Sequence, residues 1–78
     1  MITFSPIPAH RWLHGWTATV GLLDVEVYRC AAGRWDVQGE RRRRGSLTGY
    51  CEMLAENVPY CEAMGIARSA LVAETSSP

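Results

Sequence analysis

The chain contains no lysine. All eight of its basic residues are arginine, and eight acids match them, so the formal net charge is zero. A domain that holds nucleic acid by bulk electrostatics is basic overall, and this one is not. No apolar run approaches the ~20 residues that span a bilayer. The opening MITFSPIPAHRWLHGW has neither a continuous apolar core nor a leading cluster of positive charge, so no signal peptide is expected and the protein is read as cytoplasmic. Cysteine is sparse and odd in number: Cys30, Cys51 and Cys61. That excludes a fully paired disulfide scaffold and suits a reduced chain using cysteine as a small apolar residue. The sequence has no GxSxG, no Gly-rich phosphate loop and no nucleophile with an obvious base and orienting group. Neither an enzyme nor a cofactor is expected.

What remains is globular. Hydrophobic residues make up 47% of the 78 and charged residues 21%, too apolar a balance for disorder. A chain of this length makes one domain and buries only about 60% of its unfolded surface.

In residues 1–15, Pro6 and Pro8 forbid a central strand or a helix interior. Ile2 and Phe4 either form a short edge strand or lie across the core, and the segment is read as an irregular arm. From Trp16 the pattern has period two. Trp16, Ala18 and Val20 share one face and Thr17 and Thr19 the other; Leu23, Val25 and Val27 then alternate with Asp24, Glu26 and Tyr28. Gly21 supplies one reversal and Gly33 another. Trp35 and Val37 continue the apolar face, with Arg34, Asp36 and Gln38 opposite. The spacing predicts three antiparallel strands in a meander.

Three strands with a bare apolar face are not stable alone, so the C-terminal third must cover them. Thr48 can cap a helix starting at Gly49, with Cys51, Leu54, Ala55 and Val58 on one side. Pro59 suits the first turn of a further helix capped by Asn57, whose stripe is Tyr60, Cys61, Met64, Ala67 and Leu71. The prediction is an α+β domain over residues 16–73, a three-stranded antiparallel meander with one kinked or two C-terminal helices packed on one face. Residues 74–78 read as a frayed tail.

Four surfaces are candidates. The run GERRRRG places Arg41, Arg42, Arg43 and Arg44 just before the predicted helix N-terminus, where positive potentials add and an anion is welcome. Against this, Glu40, Glu52 or Asp36 can neutralise the run internally. The outer sheet face carries Asp24, Glu26 and Asp36, which suits a basic protein surface, although a polar outer face is also what an antiparallel sheet ordinarily shows to water. His10 and His14 in HRWLH are four apart, but the flanking Pro6, Pro8 and Gly15 disfavour the helix a shared metal needs, and no metal is expected. Cys51 and Cys61 are assigned to the core. Trp12 either caps the open end of the core or, if exposed, anchors an interface.

A short β-meander followed by a helix, in under 80 residues and with no catalytic motif, resembles small phage or mobile-element proteins of the anti-CRISPR type in size and layout. That resemblance implies a stoichiometric inhibitor that docks on a host effector complex handling nucleic acid. Arg41–Arg44 are the first expected contacts, then Asp24, Glu26 and Asp36, with Trp12 as an anchor. The alternative is a nucleic-acid accessory protein that contacts phosphates through Arg41–Arg44.

Overall fold

The computed structural model describes residues 2–42 and 49–76. It is an α+β domain, one open antiparallel sheet with a C-terminal helix on one face. The strands are β1 (Ser5–Pro6), β2 (Gly15–Val20), β3 (Leu23–Ala31), β4 (Arg34–Arg42) and β5 (Gly49–Val58), followed by α1 (Tyr60–Thr75). Sheet order follows chain order throughout, so every connection joins neighbours.

The period-two reading of the middle third holds in register. Trp16 stands opposite Val27, Ala18 opposite Val25 and Val20 opposite Leu23. Val27 in turn faces Val37. Gly21 and Gly33 both adopt the positive φ that their tight reversals require. Val25, Val27 and Val37 are completely buried, and Ala63, Ala67 and Leu71 of α1 pack on them, also completely buried. These three recur every fourth residue, so they form one stripe down the helix. Two of the three are alanines, which lets the helix backbone approach the sheet closely. Of the expected stripe, Ala67 and Leu71 are in the core, Met64 is half-buried, and Tyr60 and Cys61 are exposed.

The main correction concerns residues 49–58. The expected first helix is instead β5, and with β1 from the N-terminal segment it brings the sheet to five strands, with a single α-helix among the described residues. The local residues explain the misreading. Leu54, Ala55 and Val58 do share one face and pack against the core, a spacing that reads as helical. They share it because β5 is bulged twice. Gln38 pairs with Met53 and Val37 with Ala55, so Leu54 is extra. Trp35 then pairs with Val58, leaving Glu56 and Asn57 to face one residue. Each bulge shifts the strand's side-chain parity. Asn57 takes the left-handed conformation, φ 56°, at the second bulge instead of capping a helix. Pro59, extended at φ −63° and ψ 156°, holds the N-cap position of α1, and its carbonyl accepts the first helical bond from Ala63 at 3.0 Å. Thr48 lies outside the described residues.

The N-terminal segment belongs to the domain. Ser5 and Pro6 pair with Thr17 and Trp16, Ile7 is buried, and the Arg68 guanidinium lies 5.5 Å from the Phe4 ring centroid. At the other end α1 continues through Thr75, into the segment expected to fray.

Two substitutions probe this packing. Leu71→Ala should cost about 3 kcal/mol in urea unfolding, because a fully buried leucine leaves a cavity. Gly15→Ala should be at least as damaging despite the small change. A Cβ there would lie 1.9 Å from the Val27 carbonyl oxygen, and β2 and β3 would have to separate.

Candidate docking surface

In a strand, successive side chains point to opposite faces, and this divides the arginine run. Arg41 faces the helix, where its Nη1 and Nη2 donate to the two carboxylate oxygens of Glu74 at 3.0 and 2.8 Å. The pairing and the charge of Glu74 raise the Arg41 pKa, and the guanidinium bonds hold the Glu74 carboxyl below its ordinary value. Arg42 points to the other face. Its Nη2 donates to Asp24, and Glu40 lies 3.9 Å from its Nε. The chain's own carboxylates therefore engage both arginines. They end β4 instead of preceding a helix N-terminus, so the helix dipole expected beside them is absent there. Arg43 and Arg44 lie outside the described residues.

The acidic group is likewise engaged. Asp24 accepts from Thr19 as well as Arg42. Glu26 accepts from Arg11 on both oxygens, at 3.0 and 3.2 Å. Asp36 accepts the Asn57 backbone N–H at 2.8 Å, while Arg34 Nε donates to the Asn57 side-chain oxygen at 3.0 Å. Arg11, Thr17, Thr19, Asp24, Glu26, Gln38, Glu40 and Arg42 line a shallow concavity of about 310 Å³ on this face. At its edge the Tyr28 hydroxyl donates to Gln38 at 3.4 Å. Its pKa is raised, by partial burial first and then by Asp36 and Glu26.

Trp12 is the residue the fold leaves out. It is 93% exposed and so does not cap the core. A short 3₁₀ turn, Ala9–Arg11, delivers it, and Trp12 closes that turn in the left-handed region with φ 59°. For a bulky residue this conformation costs about 1–2 kcal/mol. The surrounding backbone holds it there. Arg11 N–H donates to the Pro8 carbonyl at 3.0 Å and Trp12 N–H to Ala9 at 3.1 Å. Before the turn, Ile7 N–H bonds the Gly15 carbonyl at 3.0 Å, and after it the His14 carbonyl accepts from Arg29 at 2.9 Å. The Arg11–Glu26 pair ties the turn to the sheet. Trp12 is thus presented to solvent on a segment pinned at both ends.

The other sequence candidates separate. The His14 ring lies 6.3 Å from that of Trp35, which stacks edge-on to Tyr60 at 4.8 Å. His10 is exposed on the 3₁₀ turn. Among the described residues, no three His, Cys, Asp or Glu side chains come together as metal ligands. Cys30, Cys51 and Cys61 are all exposed, which corrects the assignment of Cys51 and Cys61 to the core. Cys61 sits on the helix face turned from the sheet, and Cys51 on the sheet face away from the helix. No described helix is long and apolar enough to cross a membrane.

Comparison with known proteins finds no matching family model, no matching curated protein and no matching solved structure.

Glu74 is held below its ordinary value of 4.5, so the Arg41–Glu74 contribution is complete above that pH. It drains away as pH falls through the lowered folded value. A thermal-melt series should show wild type melting above Glu74→Gln at pH 7, with the two curves converging as pH falls through that lowered value. A gap that persists in acid would mean that the bidentate pair is not its source.

Proposed function

We propose that this chain is a non-catalytic docking protein that binds a protein partner through the surface carrying Trp12. The observation that supports this is an almost fully exposed indole carried on a hydrogen-bonded backbone in the left-handed region. Tryptophan is among the commonest interface hot spots because it desolvates a large rigid area at little conformational cost. The backbone that carries it is already held in the free protein, so less main-chain entropy is lost on binding. The neighbouring sheet face, with Asp24, Glu26 and Asp36 partly offset by Arg11 and Arg42, supplies a polar rim of alternating charge around that anchor. Rim charges of this kind steer an encounter and set its salt dependence more than its affinity.

The specific form of the proposal follows the resemblance to small phage inhibitors: stoichiometric occlusion of a complex that handles nucleic acid. The phosphate-binding alternative is less favoured at Arg41 and Arg42, because Glu74 and Asp24 already offset their charge and compete with a phosphate for them.

Affinity capture with quantified prey, run beside nucleic-acid binding in a salt series, tests the reading. Trp12→Ala should leave the melting temperature within about 2 °C, since the indole packs on nothing, while retained partner falls at least tenfold. Wild type should show no salt-dependent affinity for DNA or RNA. A partner retained equally by Trp12→Ala, or wild-type nucleic-acid affinity with a log–log salt slope of about −2 or steeper, would reject it.

A further inference from the structure

The two edges of the sheet differ. β1 is two residues long and contains Pro6, an edge too short and too poor in donors to template another strand. β5 is ten residues long without proline or lysine, and among the described residues no strand pairs with its outer side. Two of the large apolar side chains left exposed, Tyr50 and Met53, sit on it, one toward each face. Its charges are Glu52 and Glu56, and Glu56 with the two bulges guards the C-terminal half of this edge. That leaves residues 49–53 as the regular stretch, the kind of unpaired backbone that natural proteins cover or pair.

We infer that β5 pairs antiparallel with β5 of a second copy about a two-fold axis normal to the sheet, giving a continuous ten-stranded sheet with both helices on one side. This surface is separate from the one carrying Trp12. The bulges fix which part of β5 can take part. Residues 49–53 keep an unbroken register against β4, and the bulges begin at Leu54. Only one two-fold alignment pairs all five of these residues, the one centred on Cys51. It places Gly49 opposite Met53 and the Tyr50 hydroxyl beside the Glu52 carboxylate of the other copy, a donor against an acceptor. Moving the centre to Glu52 would set two like charges opposite each other. Moving it to Met53 would run the pairing into the bulge. With β5 the one long open edge among the described residues, the contact is isologous and closes at a dimer. The zero net charge removes long-range repulsion between copies.

The register makes a covalent prediction. Directly opposed residues in antiparallel strands have Cα atoms about 4.5–5.5 Å apart, inside the window of about 4.4–6.8 Å that a disulfide accepts. Cys51 is a free, exposed thiol at that centre. Diamide, which takes two electrons and two protons from a pair of thiols, should cross-link Cys51 to Cys51 between chains. Cys30 and Cys61 should not form the link.

Sedimentation of reduced protein over a concentration series should show the 8.7 kDa chain giving way to a species of twice that mass. Peptide mapping of the oxidised dimer should identify the Cys51–Cys51 link. Cys51→Lys sets two ammonium groups face to face and should raise the dimer dissociation constant at least tenfold, with an unchanged circular dichroism spectrum. Cys51→Ser should lose the cross-link and keep the reversible dimer, a readout that stands if the lysine variant misfolds. A chain that stays monomeric up to about 1 mM, a range where weak contacts still register, overturns the inference. So does a link through Cys30 or Cys61, or a folded Cys51→Lys that still dimerises.

Discussion

The structure depends on the contact between three valines and three small or branched helix residues. Val25, Val27 and Val37 form a flat apolar strip, and Ala63, Ala67 and Leu71 lie along it. Without α1 the sheet would expose this strip. Without the strip α1 would be marginal in water, since an isolated helix of about 15 residues rarely holds. The contact is narrow, because alanine offers little surface, and its compensation is close approach. Everything else is secured from its margins: Leu54, Ala55 and Val58 from β5, Ile2 and Phe4 from the N-terminal segment, Trp35 with Tyr60 where the helix begins.

Around this core the charges are arranged as internal ties. Arg41–Glu74 joins the end of β4 to the last turn of α1, Arg42–Asp24 joins β4 to β3, and Arg11–Glu26 joins the N-terminal turn to the sheet. Exposed pairs of this kind contribute little stability individually. Their effect is positional: they fix which residues face out. The outer sheet face consequently holds charge of both signs already in contact. Among the described large apolar side chains, the Trp12 indole is the most exposed, and on that ground docking is the function proposed.

How far the fold was legible varies along the chain. Residues 16–37 were readable because alternation of apolar and polar side chains has no helical counterpart at that period. Residues 60–71 were readable because the stripe and Pro59 agreed. Residues 49–58 were not. Met53, Leu54, Ala55 and Glu56 favour helix by intrinsic preference, and the two bulges return Leu54, Ala55 and Val58 to one face at helical spacing. Preference yielded to the unpaired backbone of β4, whose donors and acceptors needed a partner strand. The arginine run was misread for a related reason. Seen as a string it is a block of charge, but extended backbone sends Arg41 and Arg42 to opposite faces, where different acids receive them.

Composition and periodicity by themselves determined that this is a small α+β domain whose apolar face lies between Trp16 and Val37 and whose cover comes from the C-terminal third. They also marked Trp12 as the aromatic without an assigned place. Pairing across the chain decided the rest: that β5 is a strand, that Arg41 and Arg42 are tied down, that the cysteines are exposed, and that Trp12 points into water. Each of these depends on which distant segment lies alongside, and main-chain hydrogen bonding and burial settle that jointly over the whole molecule, where no local window of residues can.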